Sequence, residues 1–123
     1  MKGGEPMSVF IKENNIKMTR GDTLRTAVVI YSGSEQYTPV TGDVIKFYMK
    51  RALMTHGNKQ FVDETPIITK TISNEDMLLE LIPEDTKSLD FGNYKYDMEI
   101  TLVDGTVVTF IADASLILTP EVG

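Results

Sequence analysis

The sequence predicts an all-β fold, an antiparallel β-sandwich of about seven or eight strands with one short helical turn near 84–89. Three observations predict it. Alternating or β-branched runs recur every 8 to 15 residues with turn-forming clusters between them. No amphipathic pattern of helical period extends over ten residues. One stretch, 83–118, reads as a long hairpin. The corner Asp90-Phe91-Gly92-Asn93-Tyr94 leads into its alternating run, and Asp104-Gly105 turns it back.

The elements follow in order. Ile16 and Met18 alternate with polar residues in a first strand of the main sheet, ended by Gly21-Asp22. Residues 23–31 form a second strand with Leu24, Thr26, Val28 and Ile30 on one face. Its other face is also apolar in its second half, which predicts a central strand covered on both sides. Residues 32–36 are a turn by composition, and 37–40 continue irregularly because Pro39 lacks an N–H. Ile45, Phe47 and Met49 then point inward against Lys46, Tyr48 and Lys50.

Residues 51–65 are the least regular, with a polar loop at Thr55-His56-Gly57-Asn58-Lys59. The flanking Leu53-Met54 and Phe61-Val62 are either the arms of a packed hairpin or an exposed apolar contact. Pro66 opens the next strand, to Ile72; after a turn at 73–76 another places Met77, Leu79 and Leu81 inward. Pro83-Glu84-Asp85 is helix-initiating, and Leu89 plugs the core. Tyr94, Tyr96, Met98, Ile100 and Leu102 then share the face of a strand about 33 Å long. Asp104-Gly105 predicts a type I′ turn, Asp113-Ala114 a bulge, and 116–118 the closing edge.

With 123 residues the chain makes one domain, expected over 8–120, with 1–7 a disordered N-terminus or an expression remnant. The absence of cysteine excludes disulfides, thiol nucleophiles and cysteine-ligated zinc. A net charge of −6 argues against nucleic-acid binding, and Lys46, Lys50 and Arg51 read as a solvated strand face. No run approaches the ~20 apolar residues that span a bilayer, and the N-terminus lacks the apolar core of a secretory signal.

The corner carries a mechanical meaning. A tyrosine entering a strand after a crossing loop can return its hydroxyl to upstream backbone, and a glycine two residues earlier permits the turn. This is the tyrosine corner of immunoglobulin-type sandwiches, two residues before the second cysteine. Here Tyr96 stands in that cysteine's place.

A wider likeness rests on Arg20-Gly21-Asp22-Thr23, Pro83-Glu84-Asp85-Thr86 with Leu89, Gly92-Asn93-Tyr94-Lys95-Tyr96-Asp97, Asp104-Gly105-Thr106 and Leu118-Thr119-Pro120-Glu121-Val122. This series resembles small tail and baseplate proteins of phages and prophages. It is similar in particular to the N-terminal immunoglobulin-like domain of upper baseplate proteins from phages of Gram-positive bacteria. The resemblance implies a virion structural protein without catalytic residues, assembled in the bacterial host cytoplasm. Its implied partners are other tail and baseplate proteins, with a homo-oligomer as one arrangement. The sequence ends just after the sandwich, so the expected role is assembly and not host recognition.

Residue chemistry agrees in offering no enzyme: no catalytic, cofactor-binding or metal-binding residues are assigned. His56 is the only histidine, and one histidine supplies neither a credible triad nor an imidazole metal cluster. The acid pairs Asp63-Glu64, Glu75-Asp76 and Glu84-Asp85 lie in turns, where capping and solubility explain them. Asp97 and Glu99 share a strand face, the one candidate for an oxygen-rich Ca²⁺ site, without EF-hand spacing. Met49, Met77 and Met98 read as core filling. The alternative function is a carbohydrate-binding sandwich, whose platform would draw on Tyr31, Tyr37 and Tyr48 in a chain without tryptophan.

Overall fold

Alternation of apolar and polar side chains turns one face of each strand inward, and two such faces meet in an all-β sandwich. The computed structural model describes residues 10–12, 14–54 and 60–121. Its larger layer contains β1 (Phe10–Lys12), β2 (Asn15–Thr19), β6 (Val44–Met54), β7 (Gln60–Ile72), β9 (Gly92–Thr101) and β10 (Val107–Thr119), in the order β1-β2-β10-β9-β6-β7. The other layer is built from two small sheets. One pairs β3 (Leu24–Ala27) with β8 (Leu78–Leu81); the other pairs β4 (Ile30–Ser32) with β5 (Glu35–Tyr37). The pairings are antiparallel except for β2 with β10, which run parallel. The order β2-β10-β9-β6-β7 facing β3-β8 is that of an immunoglobulin-type sandwich, with β6, β9 and β10 as the C, F and G strands and β7 added as C′.

One core joins the layers. Ile45, Phe47 and Met49 of β6 are fully buried, as are Leu24, Leu79 and Leu81 opposite and Leu116 on β10. Tyr96 is 2% exposed, and its ring lies 5.3 Å from that of Phe47 at a 38° tilt. The pair joins neighbouring strands of one sheet, and such a contact adds about 0.5–1.5 kcal/mol beyond area burial.

Several expected elements take a different form. The run 23–31 is not a central strand covered on both sides. It divides into β3 and β4, Val28 donates its N–H to the Met77 carbonyl at 2.9 Å, and Arg25, Ala27, Val29 and Tyr31 are exposed. Leu24, Val28 and Ile30 do face the core, but the strand belongs to the smaller layer and nothing covers its back among the described residues. The expected turn at 32–36 is the β4–β5 hairpin, with only Gly33-Ser34 turning. Splitting 23–31 and adding β1 and β5 raises the strand count to ten among the described residues.

Pro66 does not start a strand but sits within β7, opposite Lys50 at a register shift. A missing N–H is tolerated there because β7 is an edge strand. Met77 is partly buried but precedes β8, in a left-handed turn conformation (φ 51°). Residues 116–118 are not an edge, since β2 pairs with them in parallel. The Asp104-Gly105 turn is not type I′, which requires positive φ at two residues. Only Gly105 has positive φ (93°), and its N–H donates to the Leu102 carbonyl at 2.8 Å. This is the three-residue hairpin loop, a type I turn closed by a left-handed glycine. The bulge at Asp113 is present, with φ 54° and a shift of register between Ile111 and Ala114.

Candidate interaction surface

Arg20-Gly21, Pro83 to Thr86, the corner at 90–94 and Glu121 meet at one end of the sandwich, while Asp104-Gly105-Thr106 turns at the other. Gly92 takes φ 124°, and the Tyr94 hydroxyl donates to the Asp90 carbonyl at 2.8 Å, closing the tyrosine corner. Tyr96 donates its hydroxyl to the Asn14 carbonyl. Arg20 lies 4.0 Å above the Phe91 ring, donates to the Leu89 carbonyl at 2.9 Å and pairs with both oxygens of Glu121 at 3.1 and 3.3 Å. The Gly21 N–H donates at 2.8 Å to Oγ1 of Thr86, a fully buried residue in α1 (Pro83–Thr86). The Asp85 carboxylate accepts the Ile82 N–H and the Lys70 ammonium, each at 2.8 Å. These groups use their hydrogen-bonding capacity on one another. They form a clasp that ties β2, α1, the corner and the C-terminal end of β10 together.

The remaining polar candidates are engaged in the same way. Asp97 accepts the Lys50 ammonium at 2.6 Å and the Asp113 N–H at 2.8 Å, while Glu99 accepts the Tyr48 hydroxyl at 3.0 Å. A Ca²⁺ ion would have to displace that ammonium. The carboxylates of Asp97, then Glu64, hold Lys50 well above the ordinary lysine range. Asp63 accepts the Thr65 N–H at 3.1 Å, and Glu75 lies in a turn capped by the Ser73 hydroxyl. Lys46 and Lys50 lie on the outer face of β6, and Arg51 is exposed at its continuation. Among the described residues no three acids or histidines gather as a metal site. His56 and its loop lie outside the described residues, as do residues 1–9 and Val122.

Two other surfaces stand apart from the clasp. The first is the β6–β7 hairpin. Pairing of β6 with β9 ends at Arg51↔Tyr94, whereas pairing with β7 continues through Ala52↔Val62, Leu53↔Phe61 and Met54↔Gln60. The arms of the 51–65 segment therefore continue the neighbouring strands as a two-stranded ribbon.

The second surface lies at the opposite end, where the connections between β3 and β6 and between β9 and β10 come together. Val44 and Val107 both face Thr101 in the sheet register, and Val103 (64% exposed) packs over Gly42. Beside them is a groove of about 380 Å³, with Ile30, Tyr31 and Tyr37 on one side and Ile100, Val108 and Phe110 on the other. It exists because the second layer is smaller than the first, so that β4 and β5 only partly cover the inner face of β9 and β10. Tyr31 is 62% exposed, while the Tyr37 hydroxyl donates to Asp43 at 2.6 Å. Of the three tyrosines considered for sugar binding, Tyr31 and Tyr37 line this groove and Tyr48 lies on the far face. The groove was not foreseen. Its one signal in the sequence is Val107-Val108-Thr109-Phe110-Ile111, where both strand faces carry apolar residues.

Comparison with models of protein families, with curated proteins and with solved structures finds no match to this chain.

Proposed function

We propose that the chain is a non-catalytic structural module of a phage or prophage tail. In this reading it is baseplate-like, assembled in the host cytoplasm and resident in the virion. It binds other virion proteins through strand edges and the apolar β6–β7 ribbon. The observation that carries the reading is the ribbon itself, continued by Leu53-Met54 and Phe61-Val62 beyond the last pairing with β9. A two-stranded ribbon is marginal alone in water, and docking against a partner stabilises it. The open edge of β7 supports the same reading. Its 69–72 stretch pairs regularly with β6 and leaves its outer side for another strand. The clasp adds support of another kind, because most residues on which the resemblance rests hold the sandwich's shape.

Light scattering combined with a titration of cell-wall glycans tests the proposal. A ring-sized oligomer indifferent to sugar is expected. Replacing 53–61 by Asn-Gly should dissociate it while leaving the thermal midpoint nearly unchanged. A monomer that binds sugar saturably overturns the assembly reading in favour of a carbohydrate-binding module.

A further inference from the structure

We propose that the groove between the β4–β5 hairpin and the β9–β10 hairpin is a second docking site. Its occupant is an extended protein segment that inserts an apolar side chain and carries Lys or Arg on either side of it. This site is separate from the β6–β7 ribbon, lies at the other end of the sandwich and does not depend on the viral-tail reading.

The lining supplies the apolar half of the argument. Tyr31, Val108 and Phe110 line an open groove of about 380 Å³, a volume that accommodates a side chain. Within the lining, Tyr31 is 62% and Val108 44% exposed. Adjacent exposed apolar side chains of this kind mark partner surfaces more often than scattered ones do.

Charge identifies the occupant. The segments that build this end, 28–43 and 100–112, contain Glu35, Asp43 and Asp104 and no Lys or Arg. Glu35 lies opposite Ser32 in the β4–β5 pairing, Asp43 holds the Tyr37 hydroxyl, and Asp104 sits in the turn after Leu102. None of the three enters an ion pair among the described residues. Four described cations pair with acids outside these segments: Arg20 with Glu121, Arg25 with Glu80, Lys50 with Asp97 and Lys70 with Asp85. An apolar groove in an uncompensated negative field attracts a basic flank and repels an acidic one. A second copy of this chain docked face to face would bring two sets of these carboxylates together, and like charges across an interface disfavour it. A sugar would find one exposed ring, Tyr31, with the neighbouring Tyr37 hydroxyl already committed.

The test is an amide NMR titration of the full chain with two acetylated hexapeptides, Arg-Leu-Lys-Val-Phe-Lys and its counterpart Glu-Leu-Glu-Val-Phe-Glu. The basic peptide is expected to move the Tyr31, Ser32, Val108 and Phe110 resonances saturably, with affinity falling several-fold from low to high salt. Val108→Lys should abolish the shifts, and the pair Glu35→Gln with Asp104→Asn should remove most of the salt dependence. The two exposed-acid changes keep the test valid if the Val108 variant does not fold. The variant lacking 53–61 should bind the peptide as the parent does, so failure of the ribbon proposal leaves this one standing. Four outcomes overturn it: no groove shifts at millimolar basic peptide, equal binding of the acidic peptide, groove resonances that move on protein dilution as for a self-contact, or saturation by a cell-wall oligosaccharide instead.

Discussion

Tyr94 and Thr86 show how single hydroxyls hold this end of the sandwich. Each is buried and meets one backbone group, the Asp90 carbonyl and the Gly21 N–H respectively. Removing a hydroxyl leaves its partner desolvated and unpaired, which costs more than the hydrogen bond contributes net. Tyr94→Phe is therefore expected to destabilise the fold by about 1–3 kcal/mol in urea denaturation. An unchanged midpoint would remove the corner from the account. Thr86→Val preserves shape and strands the Gly21 N–H, with an expected loss of about 1–3 kcal/mol, whereas Thr86→Ser retains most of the stability. Equal losses for Val and Ser would place the role of Thr86 in its methyl group.

At the scale of elements, the hairpins are set by backbone conformations that side chains only partly reveal. Gly105 is the clearest case. It has φ 93° and nothing within 4 Å of where a Cβ would stand, so a substitution there meets backbone strain alone. Gly105→Ala should cost about 1–2 kcal/mol, and Gly105→Asn less, because asparagine visits the left-handed region more readily. A neutral alanine would contradict the type I turn with a left-handed glycine. β7 illustrates a different control. Pro66 and the register shift beside it interrupt the edge midway, which limits indiscriminate strand pairing while leaving 69–72 open.

For the whole molecule, the distribution of titrating groups defines a pH window. Asp43 is held below the ordinary carboxylate range first by the Tyr37 hydroxyl and then by the Val40 N–H, Asp104 by the Thr106 N–H, and Glu121 by the Arg20 guanidinium. Groups depressed in this way contribute stability that is present above their unfolded values, near about pH 4, and lost as pH falls through the folded ones. At the other extreme, burial pushes the Tyr96 hydroxyl up to about 12 and raises Tyr94 as well. That contribution is complete below about pH 10 and is lost as pH rises toward the folded value. The urea midpoint should therefore form a plateau between about pH 4 and 10, with losses on both sides. Tyrosine absorbance followed in parallel should show alkaline unfolding coupled to ionisation of the buried rings. A midpoint that increases below about pH 4 would contradict these assignments.

What the sequence determined by itself was the fold class, the inward face of most strands, the helical turn, the bulge and the corner. Each depends on contacts between near neighbours, on period-two alternation or on the needs of one turn, and these are local quantities. Tertiary structure decided the rest. Residues 23–31 are apolar on both faces and read as central, yet only their position in the smaller layer shows that one face meets solvent. The parallel pairing of β2 with β10 joins residues about a hundred positions apart, a distance over which no pattern of alternation carries information. Arg20, Thr86 and Glu121 looked like separate words in the chain and proved to be parts of one clasp, because a hydrogen bond between distant residues has no local signature. The groove beside Tyr31 was hidden for the same reason. It arises from the unequal size of two layers, a property of the assembled sheets and not of any stretch of sequence.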